Sequence, residues 1–234
     1  MRIRVRPHII FVTGTSTGVG KTLVSCLLLR HLQLTGVNAC ALKPISCGDR
    51  GDGLALYALQ RNSLSLEQIN PVHFSNSLSP WMASRLENRR LHLAGIAGQI
   101  LSIASSFQIT VVEGVGGLLT PLNQTHSNLT LIQRLDCPCI LVSANELGAI
   151  NQCRMGFLAL QSAGLKEIKV VLSQRDAVDQ SGVSNQAALC SLLGTVQISS
   201  IPNIYLNTLN PTCYDSHVIQ LKKSLARLLC FANF

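Results

Sequence analysis

No apolar run in this chain approaches the ~20 residues that a bilayer-spanning helix needs, so a membrane span is not expected. Long basic runs are also missing, as are aromatics interleaved with cations; the aromatic set is one Trp, three Tyr and six Phe. Without a stacking platform beside a cationic stripe, nucleic acid is not an expected partner. Cys137-Pro138-Cys139 has no second cysteine pair at zinc-site spacing. The nine cysteines are odd in number, and 234 residues is long for a disulfide-stapled mini-fold. Arg2, Arg4 and Arg6 precede an apolar run of only Ile9 to Val12, too short for the core of an export signal. No internal repeat, low-complexity tract or linker divides the chain. These absences lead us to expect a cytoplasmic chain with reduced thiols, folded as one α/β domain.

Hydrophobic residues make up 47% of the chain, enough for a sizeable core, and the net charge of +8 suits an anionic nucleotide or carboxylate as well as any polyanion. The most informative stretch runs from Ile9 to Thr22. Four apolar residues break into Thr13-Gly14-Thr15-Ser16-Thr17-Gly18-Val19-Gly20-Lys21-Thr22, and a helical pattern follows at once. That is the layout of a phosphate-binding loop. Glycines let consecutive backbone amides approach phosphate oxygens, and the following helix offers its N-terminal amides and dipole to the same anion. Lys21 supplies a charge for the β- and γ-phosphates, and the Thr22 hydroxyl is a magnesium ligand type. One detail departs from the usual spacing: Thr15 stands at the first glycine position, and Gly14 comes one residue early.

Short, nearly continuous apolar runs alternate with helical patterns. Strands are expected over 8–13, 38–43, 109–113, 138–143, 168–173 and 196–199, and helices over 21–34, 53–60, 91–106, 129–134, 149–163, 182–192 and 216–231. Runs of this kind belong to strands buried on both faces, and the alternation predicts a mostly parallel sheet flanked by helices, with ligands at the carboxyl ends of the strands. The loop-rich part over 48–90 is expected to form a substrate rim.

Three further features fall at strand ends. Lys43, fixed by Pro44, closes the second strand and is placed to meet a negative charge, or is an ordinary exposed lysine. Glu113 closes the third strand before Gly114-Val115-Gly116-Gly117, as in strands whose carboxylate helps hold Mg²⁺; a tight turn is the alternative. Asp52 opens a helical run and suits either a metal or a helix cap.

Taken together, these residues resemble dethiobiotin synthetase, an ATP-dependent enzyme family of biotin synthesis. The likeness extends from about Ile9 to about Pro202. It rests on Gly14 to Thr22, Lys43-Pro44, Glu113 to Gly117 with Thr120-Pro121-Leu122, Gln60-Arg61-Asn62, Ser79-Pro80 leading to Ala83, and Leu147 to Asn151. The resemblance implies a P-loop NTPase-like α/β domain acting as a homodimer. ATP and Mg²⁺ would be the cofactors, and a diamine (7,8-diaminononanoate) and CO₂ the substrates. It further implies catalytic roles for Lys21, Lys43 and Thr17, and a metal held by Thr22, Asp52 and Glu113. Nucleotide contacts would come from Gly18, Val19, Gly20, Lys21, Thr22, Glu113, Gly114, Gly116, Gln174 and Pro202. Substrate contacts would come from Ser46, Cys47, Gly148, Ala149 and Asn151, the last three from the partner subunit.

The chain departs from the family in three places. Ser16 replaces a loop aspartate. Cys47 falls where a hydroxyl is usual, with Ser46 adjacent as a substitute. Gln174-Arg175 replaces a base-recognising Asn-Asp, which bears on nucleotide preference. Two other readings stay open: a related P-loop ligase that forms an amide or ring on another substrate, and a MinD/ParA-like ATPase switch, although Ser16 stands where such switches carry a second loop lysine.

Overall fold

A computed structural model of the chain describes residues 8–174, 180–194, 196–204 and 210–231. Its centre is a six-stranded sheet made of β1 (His8–Gly14), β2 (Ala39–Leu42), β5 (Ile109–Glu113), β6 (Cys139–Ala144), β7 (Ile168–Ser173) and β8 (Ile198–Ile201). Every pairing is parallel and the strand order is β2-β5-β1-β6-β7-β8. The chain leaves β1 toward one edge and returns to its other side through β6. The switch point is therefore at the carboxyl end of β1, where a parallel sheet opens a crevice. Interior strand residues are buried on both faces, as the apolar runs predicted.

The helices in chain order are α1 (Lys21–Leu34), α2 (Gly51–Leu59), α3 (Leu66–Ile69), α4 (Pro80–Leu86), α5 (Leu93–Ala104), α6 (Asn128–Leu135), α7 (Ala149–Ser162), α8 (Gln180–Leu193), α9 (Asp215–Gln220) and α10 (Lys222–Leu229). Helix α1 is buried nearly all round, with Val24, Leu27, Leu28 and Leu29 inaccessible to solvent. Each such leucine contributes about 1.5–3 kcal/mol relative to an exposed one. The C-terminal segment packs against the outer side of α1. Arg30 there donates to both carboxylate oxygens of Asp215, at 2.6 and 3.0 Å. Lys169, on β7, donates to the carbonyls of Arg227 and Cys230 and lies over the Phe231 ring, tying the end of α10 to the sheet.

Three expectations are corrected. The tail predicted as one helix over 216–231 divides at Leu221. The last strand lies two residues later than predicted, because pairing with β7 sets its register, Val170 opposite Ile198 and Ser173 opposite Ile201. The rim over 48–90 holds more order than a loop-rich segment. Its β4 (Val72–Phe74) pairs with β3 (Ile45–Cys47), which precedes it in the chain, as a second, two-stranded parallel sheet, and α3 and α4 begin at Ser65 and Ser79, whose side chains accept from the backbone three residues on. No helix among the described residues is long and apolar enough to cross a membrane. Arg2, Arg4, Arg6 and Arg175 lie outside the described residues.

A single carboxylate organises the outer rim. Glu87 Oε1 accepts from the Ser75 amide and hydroxyl at 2.8 and 2.9 Å and from the Asn76 side chain at 3.0 Å. Partial burial pushes its carboxyl up, but the hydrogen bonds from Asn76 and Ser75 outweigh that and hold it below the ordinary glutamate range. A depressed carboxyl stabilises the fold above its unfolded value and stops doing so as pH falls through the folded one. The protection factors of the Ser75 and Asn76 amides, which discount the intrinsic pH dependence of exchange, are therefore expected to be high at neutral pH and to fall as the pH drops below the ordinary glutamate range. In Glu87→Gln they should be low throughout; high protection at every pH in that variant would remove the assignment.

Candidate active site

The phosphate loop is shaped by contacts that side chains would block. Gly14 lies so close to Val19 and the Ser16 carbonyl that an added Cβ would stand 2.8 and 2.9 Å from them. This close approach explains why the first glycine comes one residue early. Gly20 takes φ +98° as the N-cap of α1, and a Cβ there would sit 2.4 Å from Ser173 Oγ at the end of β7. Lys21, the first helical residue, folds back so that its ammonium donates to the Ser16 carbonyl at 2.9 Å. Thr17 and Gly18 are exposed at the crest of the loop, and Val19 is buried.

Strand register brings the other charges together. Leu42 pairs with Val112 and Val12 with Glu113, so Lys43, one residue past β2, stands beside Glu113 at the adjacent strand tip. Lys43 is 2% exposed and Glu113 is 1% exposed. The Lys43 ammonium donates to Glu113 Oε1 at 2.6 Å, to Asp52 Oδ2 at 2.6 Å and to the Gly114 carbonyl at 3.1 Å. Its exposed-lysine alternative is thereby excluded. Asp52 lies inside the first turn of α2 and Arg50 holds the N-cap, so Asp52 does not cap the helix with its side chain.

Burial pulls the Lys43 ammonium down, but the facing charges of Glu113 and Asp52 outweigh it and hold the pKa above the usual lysine value. Burial likewise pushes the Asp52 carboxyl up, and the Lys43 charge and hydrogen bond, with Thr22, bring it below the ordinary range. For Lys21, burial and then the like charge of Lys43 win over Glu113 and Asp52 and lower it to about 8.

Thr22 supplies a test for a metal. Its hydroxyl oxygen lies 2.7 Å from Asp52 Oδ1 and 2.8 Å from Glu113 Oε1. A hydroxyl carries one proton, so it satisfies only one of two carboxylates at these distances. Glu113 Oε2 is buried and has no hydrogen-bond partner. Three hard oxygen donors and an unsatisfied carboxylate oxygen are a set that a small divalent cation fits, and thiols or imidazoles are not among them.

The remaining predicted residues are distributed as follows. The Gly114 carbonyl belongs to the Lys43 contacts, and Gly116 takes φ +65° against Thr120. The glycine turn after β5 packs onto the phosphate loop through Leu118, whose amide donates to the Gly14 carbonyl at 2.8 Å. Gln174 continues β7, its side-chain oxygen accepting from Asn145 at 3.1 Å, and exposed Pro202 follows β8. Ser46 is buried, and its hydroxyl donates to Asn70 Oδ1 at 2.9 Å. Cys47 is half-buried, and burial followed by the Glu87 charge, partly offset by Lys43, pushes its thiol up to about 11. Gly148 caps α7 with φ +96° and Ala149 is buried behind it; Asn151 is exposed and directed toward Met155. Among the described residues no ion pair or hydrogen bond links these three to the lysine–carboxylate cluster.

Sequence reasoning missed two buried connections. Thr15 Oγ1 donates toward Gln152 Oε1 at 3.1 Å and Ser143 Oγ at 3.2 Å, joining the phosphate loop to α7 and β6. Asn70, inaccessible to solvent, joins the Lys43 backbone to the start of α2. Neither carries a local signal, because both depend on partners twenty or more residues away.

Gly20→Ala would impose about 1–2 kcal/mol of left-handed backbone strain as well as the clash with Ser173. Nucleotide affinity is expected to fall at least about tenfold. Adding Ser173→Gly should recover part of the loss, by removing the clash but not the strain. Calorimetric titration that finds wild-type affinity in Gly20→Ala would show that the loop does not need this conformation.

A family model described as an AAA domain matches residues 8–209. The chain is 36% identical over 177 residues to an ATP-dependent dethiobiotin synthetase BioD from Akkermansia muciniphila, covering 75% of this chain and 83% of that protein. It is 34% identical over 193 residues to the enzyme of the same name from Endomicrobium trichonymphae, covering 81% and 89%. Among solved structures it resembles a chain of the MinC:MinD cell division protein complex of Aquifex aeolicus (TM-score 0.59, 14% identity, 95% and 96% of the two chains). It also resembles a ParA family ATPase from Chlorobium tepidum (TM-score 0.54, 10% identity, 95% and 92%). The structural likenesses concern the fold alone. Sequence identity of this extent along most of both partners places the chain in a family: it belongs to the ATP-dependent dethiobiotin synthetases.

Proposed function

We propose that this protein carries out the ring-forming step its family is named for, converting 7,8-diaminononanoate, CO₂ and ATP to dethiobiotin, ADP and phosphate in the cytoplasm. The observation that carries the reading is the buried Lys43 ammonium held between Glu113 and Asp52, one hydroxyl away from the phosphate loop. Phosphoryl transfer needs charge compensation and alignment more than a strong base, and this arrangement supplies both.

One amine of the substrate adds to CO₂ and loses a proton, giving a carbamate. A carbamate oxygen takes the γ-phosphoryl group as ADP leaves. The second amine then attacks the carbamate carbon, phosphate departs, and the cyclic urea is closed. Thr22, Asp52 and Glu113 would hold Mg²⁺, which when bound neutralises charge on the phosphate oxygens. Lys21 and the amides of Gly18, Val19 and Gly20 hold the triphosphate. Lys43 faces the carbamate and the transferred group, and the Thr17 hydroxyl donates to either. Gly114 and Gly116 form the wall beside the phosphates, and Gln174 and Pro202 border the base. Cys47 borders the substrate as a neutral thiol.

The reading includes a homodimer in which Gly148, Ala149 and Asn151 of the partner subunit receive the substrate carboxylate. Support comes from the outer face of α7 and the turn before it, where Leu147, Met155 and Leu158 are 82%, 57% and 51% exposed. Apolar side chains gathered on one helix face mark a surface that association would cover.

ATP turnover is expected to depend on both the diamine and bicarbonate; turnover indifferent to the diamine would end the reading. Lys21→Ala should lose nucleotide binding and turnover together. Lys43→Gln should lower turnover by ~100-fold or more while leaving nucleotide affinity within about threefold. For the dimer, Met155→Arg with Leu158→Glu should give a monomer by sedimentation that binds ATP yet forms no dethiobiotin. A dimer surviving both changes would locate the interface elsewhere.

A further inference from the structure

The backbone at Lys43 is in an unusual position. Strand β2 ends at Leu42, and Pro44 turns the chain out of the main sheet. The amide and carbonyl of Lys43 therefore have no ladder partners, yet both are buried and need them. Both are satisfied by one short turn of the rim. The Lys43 amide donates to the Ile69 carbonyl at 2.9 Å, and the Lys43 carbonyl accepts from Asn70 Nδ2 at 2.7 Å.

The same carboxamide holds the element that carries Asp52. Asn70 Oδ1 accepts from Arg50 Nε at 3.0 Å and from Ser46 Oγ at 2.9 Å, and the Asn70 carbonyl accepts from Arg50 Nη2 at 2.8 Å. Arg50 is the N-cap of α2, two residues before Asp52. Gly53, in the first turn of α2, lies so close that a Cβ there would stand 3.0 Å from Asn70 Cβ. The amide end of Asn70 thus fixes the backbone from which Lys43 projects, and its carbonyl end fixes the helix from which Asp52 projects. Both lone pairs and both protons have partners, the second proton through a longer 3.4 Å contact to the Val72 carbonyl.

We infer that Asn70 is a positioning residue for the reaction: it sets the separation of Lys43 and Asp52, and so the place of the ammonium relative to Glu113 and the transferred phosphoryl group. The inference rests on the proposed function only for what Lys43 does, not for how it is held. A displacement of about 1 Å at a reacting group is enough to lower a rate by roughly 100-fold.

Asn70→Asp keeps the acceptor for Arg50 and Ser46 but sets an oxygen against the Lys43 carbonyl; Asn70→Ala removes all contacts. Gln60→Ala is the matched control. Gln60 clamps the backbone of Ala41 through the same pair of bonds, at 3.1 and 2.6 Å, two residues earlier on the same strand, and does not touch Lys43. Both Asn70 variants are expected to lose between ~10- and ~100-fold in kcat, with KM for ATP within about threefold. Gln60→Ala should lose thermal stability to a similar degree and keep its kcat. A second readout needs no turnover: the ¹⁵N–¹H resonance of the buried Lys43 ammonium should persist in Gln60→Ala and disappear or shift in Asn70→Asp.

An unchanged kcat and ammonium signal in a folded Asn70→Asp would overturn the inference, as would an equal kcat loss in Gln60→Ala. If neither Asn70 variant folds, Arg50→Lys releases α2 while sparing the Lys43 bond. The same selective loss of kcat is then expected, and its absence counts as refutation. Should the unaltered protein show no diamine-dependent turnover, the proposed function falls, and the ammonium resonance still decides the role of Asn70.

Discussion

Much of this structure is arranged so that one ammonium group can exist where water does not reach. Lys43 is almost fully buried beside an equally buried carboxylate. Removing either charge from water costs several kcal/mol, and only close opposite charges with full hydrogen bonding offset it. Here Glu113, Asp52 and the Gly114 carbonyl provide that compensation within 3.1 Å. A leucine–leucine pair would stabilise the same strand tips at least as well. A charged pair in that position, with Glu113 Oε2 left without a partner, is better explained by chemistry than by folding.

That constraint propagates outward. The phosphate loop has to reach the same point from β1, so it folds back tightly and rests on Ser173 of β7 and on the glycine turn after β5. Helix α1 must hold Lys21 and Thr22 still, and it is enclosed on its outer side by the C-terminal segment through Arg30 and Asp215. The rim has to hold Lys43 from behind and Asp52 from the side. It does so with the small β3–β4 sheet and one buried asparagine, elements that no ligand need touch. The phosphate loop is therefore braced by the main sheet, whereas Lys43 and Asp52 are held by a chain segment outside it.

Local signals had variable reach. The glycine-rich turn ending in Gly-Lys-Thr could be read directly, because phosphate binding uses consecutive backbone amides and so leaves a contiguous trace. The four inner strands were legible for a similar reason: burial on both faces leaves a continuous apolar run. Residues 45–47 and 72–74 gave no such trace. Three residues are too few to show a period, and each is a strand only because the other lies beside it. Ser65 and Ser79 cap α3 and α4, yet no helix was expected at either place, because segments of four and seven residues are too short to show a helical period. Pairing of β3 with β4 also turns the Ser46 hydroxyl toward Asn70, a partner that the linear pattern did not single out.

The sequence by itself determined the fold class, the phosphate loop, and the identity of the groups that carry charge at the strand tips, since each of these is encoded in residues that are neighbours along the chain. Only the tertiary structure decided which of those groups meet. The alignment of Lys43 with Glu113 is a matter of strand register, and the approach of Asp52 depends on where α2 is anchored. Register and anchorage come from contacts between segments tens of residues apart. Such contacts are chosen by shape and by the need to satisfy buried polar groups, and a linear pattern records neither.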